Sequence, residues 1–235
     1  MKSILLTRPL LDSLDTRYAL KKCGYKVYID PILTLKYLHP NISEYEFDVV
    51  ISTSKNSVRA FSHIHKVDDL SIVTVGNSTM QTAKDFGFAD VISADGNVDS
   101  LILLIKSLYS REVKFLYIRG QEISCDLKKK LSDAGFNIKE VILYKMIAKK
   151  NLSHRVKNLL LTGKVNDIIF LSVHTAIVFC SLILKNQLSD IMADMVAYAM
   201  SKNIADSLKA IKWKRILISR LPTKESLIDI INKGY

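Results

Sequence analysis

The sequence predicts an α/β protein built of two similar parallel-sheet lobes. Three observations carry that expectation. Short apolar runs of strand length alternate with amphipathic runs of helical length through nearly all of the 235 residues. The chain also repeats itself: VVISTSKNSVRAF at 49–61 returns in outline as IIFLSVHTAIVF at 168–179, and the stretch from Val73 to Leu104 returns at 196–230. The opening unit, LLTRP then LKKCGYKVYIDPIL, is echoed by LYIRG then LSDAGFNIKEVILY, with Arg8 matching Arg119 and Gly24 matching Gly135. Third, hydroxyl and amide side chains gather where strands end and helices begin. A duplication of this kind predicts two lobes with a small molecule bound in a cleft between them.

The elements follow in order. SILLT at 3–7 reads as a strand, and the helix at 11–23 ends on Gly24, placed as a left-handed cap. A strand at 47–51 leads to a helix at 56–64. A strand at 72–75 ends in Val75-Gly76, after which Asn77 or Ser78 caps a helix at 78–86. Helix 98–109, strand 114–118, helix 123–134 and strand 138–144 come next, with Gly135 closing the second helix. The last third alternates helices at 152–162, 174–185, 202–210 and 223–233 with strands at 167–171, 195–199 and 215–219. Ser201 and Thr223 are the caps of the final two helices. Strand–helix alternation through short loops predicts parallel sheets, whose ligands sit at the carboxyl ends of the strands. The loops to inspect are therefore those carrying Arg8, Thr53–Ser57, Gly76–Thr79, Arg119, Ser172–Thr175, Ser201–Asn203 and Leu221–Thr223.

Composition narrows the classes. Hydrophobic residues make up 49% and charged residues 24%, an ordinary globular balance without low-complexity runs. No apolar stretch approaches the ~20 residues of a membrane span, and Arg8-Pro9 cuts short any secretory signal, so a cytoplasmic protein is expected. Cys23, Cys125 and Cys180 are odd in number and far apart, which predicts neither a disulfide framework nor a CxxC motif. The net charge of +11 suits an anionic partner, or reflects a lysine-rich composition. The basic residues are scattered and not interleaved with aromatics, which argues against nucleic acid. There is no GxGxxG, no phosphate loop and no GxSxG elbow. His63 and His65 lack acidic or cysteine companions at metal-site spacing and read as a solvated helix end. Neither metal nor cofactor is expected.

The loops together resemble one family. LLTRP, ISTSKNSVRAF, TVGNSTMQTAKDFGF, the LYIRG…AGF…VILYKMI run, FLSVHTAIVF, SKNIADSLKAIKW and LPTKESLIDII, in this order and spacing, are similar to the uroporphyrinogen-III synthases. The resemblance covers nearly the whole chain. It implies two flavodoxin-like α/β lobes joined by a two-stranded linker, residues 1–33 with 148–235 forming one lobe and 34–147 the other. It also implies a substrate, hydroxymethylbilane, carrying eight carboxylates, which suits a basic, hydroxyl-rich site. The implied reaction is loss of the terminal hydroxyl, a spiro intermediate, and closure with ring D inverted. A monomer without cofactor, in transient contact with the synthase that supplies the substrate, is the expected working form.

By the same resemblance Tyr144 matches the tyrosine proposed to assist departure of the hydroxyl. A phenol titrates near pH ~10, so Tyr144 would be a proton donor of modest strength; as a plain strand-end tyrosine it would only pack. Thr53, Ser54 and Asn56, and then Asn77, Ser78 and Thr79, match substrate-binding loops of one lobe. Ser172, Ser201 and Thr223 match those of the other, and Arg8, Arg119 and Lys202 are the cations placed to meet carboxylates. Ordinary helix caps would carry many of the same residues. Val173-His174 and Ala199 depart from the family's usual small residues and glycine. Two rivals stand beside this reading: a cofactor-free two-lobed module that senses a small anion, and an inactive relative of the synthase.

Overall fold

The computed structural model describes residues 2–233. Met1, Gly234 and Tyr235, included in the expected bounds of the first lobe, lie outside the described residues. In chain order the elements begin β1 (Ser3–Leu6), α1 (Leu10–Lys22), β2 (Lys26–Ile29) and β3 (Leu33–Tyr37). Next come β4 (Val49–Ser52), α2 (Lys55–Ser62), β5 (Ser71–Thr74), α3 (Asn77–Asp85), β6 (Asp90–Ser93) and α4 (Val98–Leu108). They continue as β7 (Lys114–Gly120), α5 (Leu127–Asp133), β8 (Asn137–Ala148), α6 (His154–Leu161), β9 (Asp167–Phe170) and α7 (Val173–Lys185). The chain closes with α8 (Ser189–Met192), β10 (Val196–Ala199), α9 (Lys202–Leu208), β11 (Arg215–Ile218) and α10 (Lys224–Lys233).

Two compact units result: Met1–Thr34 with Ile147–Tyr235, and Leu35–Met146. The first holds a five-stranded sheet in the order β11-β10-β9-β1-β2, all of it parallel. The second holds the order β3-β8-β7-β4-β5-β6. Its strands β4 to β8 are parallel. β3 runs antiparallel to β8: the Leu38 N–H donates to the Leu143 carbonyl at 2.8 Å, and the Lys149 N–H to the Ile32 carbonyl at 2.9 Å. The chain crosses from one unit to the other within these two strands, which form the two-stranded connection.

The repeat explains both sheets. β1-α1-β2 is the copy of β7-α5-β8, and β9, β10 and β11 are the copies of β4, β5 and β6. Replacing each strand of β2-β1-β9-β10-β11 by its copy gives β8-β7-β4-β5-β6, the order of the second sheet. The two units are circular permutations of one doubly wound arrangement. Gly24 and Gly135, matched in the repeat, both take left-handed φ, +81° and +85°, one residue after the caps of α1 and α5. That conformation disfavours any side chain.

Central strands are apolar on both faces, as helices on both sides of a parallel sheet require. In β4, Val49, Val50, Ile51 and Ser52 are all buried. Ile51 faces a cluster with Val73, Leu101, Phe115 and Tyr117, while Val50 faces the opposite one with Val58, Phe61 and Leu143. Each fully buried aliphatic side chain contributes roughly 1.5–3 kcal/mol of transfer free energy.

Some elements differ from the sequence expectation. The periodicity does not predict β2, β3 and β6, which are four or five residues long and flank the central strands with Lys26, Thr34, Lys36 and Asp90 among their apolar positions. Nor does it predict α8, a single turn. α3 starts at Asn77 itself, with Gly76 at the cap position and no side-chain cap. α5 begins at Leu127, not near 123, because the Asp126 carboxylate accepts the Lys129 N–H at 2.9 Å and fixes the start there. Residues 121–126 are thereby left as a loop.

Candidate functional site

In the second unit β4 leads outward through β5 to β6, whereas β7 leads the other way to β8. The connections diverge between β4 and β7, and in doubly wound sheets the crevice at such a switch point receives the ligand. A cavity of about 370 Å³ lies there. Thr53 and Ser54 follow β4, Val75 follows β5, and Asn97 and Val98 open α4. Tyr117, Arg119 and Gly120 come from β7, and Glu122, Ile123, Ser124 and Cys125 from the loop after it. Tyr144 of β8 completes the wall.

Two phenols meet the β4–α2 turn. Tyr144 Oη lies 3.0 Å from Ser54 Oγ, and Tyr117 Oη lies 3.2 Å from Thr53 Oγ1. Ser54 is also the N-cap of α2, accepting the Ser57 N–H at 3.1 Å. Behind it, Ser57 Oγ sits 3.1 Å from Ser54 Oγ and 2.7 Å from the buried Ser52 Oγ. The hydroxyls form a chain from the cavity into the core, the arrangement by which buried polar groups stay satisfied.

A bulge aims Tyr144. Arg119 pairs with Ile142, but Gly120 pairs with Tyr144, so Leu143 is the extra residue of β8. Leu143 enters the core and Tyr144 turns to the cavity wall. Gly120 makes the turn possible: a Cβ there would stand 2.6 Å from Tyr144 Cζ. The phenol ring occupies the space that any side chain at 120 would need.

Arg119 reaches the wall but is held. Its Nε donates to Glu140 Oε2 at 2.8 Å, and one terminal nitrogen donates to the carbonyls of Gly120 and Gln121 at 2.8 and 3.2 Å. The hydrogen bond to Glu140 keeps the guanidinium charged, raising its pKa above the ordinary value. Arg119 therefore shapes the loop after β7 and adds positive charge to the cavity. Burial pushes the Tyr117 phenol up, with the Thr53 hydrogen bond opposing, so Tyr117 carries its proton at neutral pH.

Thr53, Ser54, Arg119 and Tyr144 are thus brought together. Asn56 lies outside the lining, its Oδ1 accepting from Arg59 at 2.9 Å. Asn77, exposed, donates to Asp95 at 2.6 Å. Ser78 is exposed beside it, and Thr79 is buried, its N–H donating to the Gly76 carbonyl at 3.0 Å. In the first unit Ser172 caps α7 through the Thr175 N–H, and Ser201 caps α9 through the Ile204 N–H. Thr223 Oγ1 accepts the Ser226 N–H at 3.2 Å, and Lys202 is exposed as the first residue of α9. Arg8 lies 3.8 Å from Asp12 at the switch point of that sheet, after β1.

Sequence reasoning misses Tyr117, Asn97, Glu122, Ser124 and Cys125. Tyr117 reads as a core residue inside an apolar strand, and its ring is one, yet the residue lines the cavity and its hydroxyl meets Thr53 there. Residues 123–125 of the loop are hidden in the expected helix, and Asp126, a capping residue three before Lys129, is the signal that exposes them. His65 stacks on Phe61 at 5.1 Å between ring centres, and His63 lies against Tyr37 at 5.4 Å with the rings tilted by 51°. Among the described residues no three His, Cys, Asp or Glu side chains gather as a metal site, and no helix is long and apolar enough to cross a membrane.

The family described as uroporphyrinogen-III synthase HemD matches residues 15–229 of this chain. Among solved structures, a uroporphyrinogen-III synthetase from Helicobacter pylori 26695 is similar over the whole of both chains, with 17% identity and a TM-score of 0.68. A mutant uroporphyrinogen III synthase from the extreme thermophile Thermus thermophilus is similar over 99% of this chain and 98% of its own, with 15% identity and a TM-score of 0.55. No curated protein matches. At such identities the solved structures speak for the fold, two α/β units with parallel sheets, and the family match speaks for membership. This chain belongs to the uroporphyrinogen-III synthase family, cyclising lyases of tetrapyrrole biosynthesis.

Proposed function

We propose that this chain cyclises hydroxymethylbilane to uroporphyrinogen III, inverting ring D through a spiro intermediate, and that the cavity of the second unit holds the proton donor. The observation that carries this is Tyr144, presented at the switch point by a bulge and held by Ser54 at 3.0 Å. When Ser54 donates to Tyr144 Oη, the phenol proton is directed to the cavity and the developing phenolate is stabilised.

That placement suits the reaction of the family. The phenol proton passes to the terminal hydroxyl as the carbon–oxygen bond breaks, water departs, and the pyrrole nitrogen lone pair completes the azafulvene. The substituted carbon of ring D attacks its exocyclic carbon, giving the spiro intermediate. Fragmentation and re-closure leave ring D inverted, and a ring proton lost at the end restores the phenol. Holding the bilane bent is the larger contribution, since orientation alone supplies several kcal/mol, up to about 7–11 in favourable cases.

Carboxylates are met, in this reading, by strand-end hydroxyls, amides and cations: Thr53, Asn56, Asn77, Ser78, Thr79 and Arg119 in one unit, Arg8, Ser172, Ser201, Lys202 and Thr223 in the other. The positive ends of the helix dipoles at the starts of α2, α7 and α9 add to them. The protein acts as a cytoplasmic monomer and takes the bilane in transient contact with the enzyme that makes it, because the free bilane closes by itself to the wrong isomer. The test is kinetic. Freshly generated hydroxymethylbilane should disappear faster with the protein than alone, in proportion to protein concentration; disappearance at the spontaneous rate would refute the proposal.

A further inference from the structure

Thr53 and Ser54 are adjacent, yet each hydroxyl is tied to a different tyrosine from a different strand. Tyr144 has the role just given. Tyr117 has none, although it is the more deeply set of the two: its ring is packed with Val49, Ile51, Val73 and Phe115, and only 2% of its surface is exposed. A phenylalanine would fill that core equally well. The hydroxyl is the part that packing does not require, and it emerges at the cavity wall 3.2 Å from Thr53 Oγ1. β4 and β7 pair with Ile51 opposite Tyr117, which sets the ring beneath the β4–α2 turn and brings Oη level with Thr53.

We propose that Tyr117 is a positioning residue for substrate binding, its phenol donating to Thr53 Oγ1 so that the Thr53 proton points into the cavity toward a substrate carboxylate. A hydroxyl has one proton and two lone pairs, so a donor behind Thr53 decides where that proton goes. Hydrogen bonds in series also polarise one another, which makes Thr53 a stronger donor to an anion than an isolated threonine. Burial holds the Tyr117 phenol in its protonated form, so the donor persists through the neutral range. Tyr144 and Tyr117 then divide the work, one moving a proton and the other orienting a binding hydroxyl. This inference rests on the reading of the cavity as a substrate site.

The experiment is a double-mutant cycle on uroporphyrinogen III formation by the full chain, with Tyr117→Phe, Thr53→Val and the double variant. Thr53→Val should raise KM about ten-fold, the loss of a hydrogen bond to a charged group. Tyr117→Phe should raise KM about three- to five-fold with kcat changed less than about two-fold. The double variant should match Thr53→Val alone, because Tyr117 acts through that hydroxyl. Multiplicative KM effects in the double variant, or an unchanged KM in Tyr117→Phe beside a raised KM in Thr53→Val, would overturn the role of Tyr117 and leave the cavity reading standing. An unchanged KM in Thr53→Val would remove the cavity as a carboxylate site and this inference with it. If Tyr117→Phe folds poorly, 3-fluorotyrosine at 117 replaces it: the more acidic phenol should lower KM, and an unchanged or raised KM would contradict the proposal.

Discussion

Tyr144 and Ser54 are ninety residues apart in sequence and meet at 3.0 Å, oxygen to oxygen, at the carboxyl edge of one sheet. Ser54 does two things at once, since the same oxygen caps α2. The prediction for Tyr144→Phe is a fall in kcat of about a hundred-fold, the low end of general-acid effects, with activity retained. Ser54→Ala should slow turnover as well and also cost about 1 kcal/mol of stability through the lost cap. Steady-state kinetics beside thermal melts separate the two. Full turnover in Tyr144→Phe would remove the phenol from the mechanism.

Gly120→Ala bears on the same ring. An added Cβ at 2.6 Å from Tyr144 Cζ forces the phenol to move. The variant should lose kcat to about the same degree as Tyr144→Phe, and combining the two should cost little more. A Gly120→Ala enzyme with unaltered kcat would show that the ring need not lie where the bulge puts it.

Thr7 and Thr16 carry buried hydroxyls without a hydrogen-bond partner among the described residues. Both line a small void in the first unit beside Leu6, Ile169 and Leu171. Replacing a buried unsatisfied hydroxyl by a methyl of the same shape removes a desolvation penalty, so Thr16→Val should stabilise by about 1 kcal/mol. For a chain of this size that is a Tm increase of roughly 2–4 °C. A lower Tm would mean that the hydroxyl is satisfied in solution.

Asp167, buried at the start of β9, has its pKa raised above the usual 3.8, chiefly by burial, with Lys2 and Lys214 opposing. Between that value and the folded pKa, the native state holds a proton that the unfolded chain has released. Stability therefore falls as pH rises through this window and stays reduced at neutral pH. Asp167→Asn keeps the shape without the charge. Its Tm should exceed that of the wild type at about pH 7, and the difference should shrink toward about pH 4. Parallel melting curves that keep the same gap across that range would exclude Asp167 as the cause.

The strand-to-helix alternation and the duplication make the parallel sheets legible from sequence, because both are written in local periodicity and in matched residues such as Gly24 and Gly135. The edge strands β2, β3 and β6 are less so: short and flanked by polar residues, they are specified by pairing with a neighbour more than by their own pattern. At the cavity, Thr53 and Ser54 can be singled out because loop hydroxyls at a strand end stand out from their surroundings, and Tyr144 only through the family resemblance. Tyr117 cannot, since a tyrosine inside KFLYIRG looks like core and is distinguished only by where its hydroxyl ends. The bulge at Gly120 leaves no local mark either; it depends on register between two strands.

Product isomerism tests the central proposal most directly. Hydroxymethylbilane would be generated freshly in the presence of the purified protein, the products oxidised, and uroporphyrins I and III separated by chromatography. The expected result is a predominance of type III over a protein-free control that gives type I. Type I alone, from a folded sample, would contradict the proposal and leave a member of the synthase family that binds without inverting ring D.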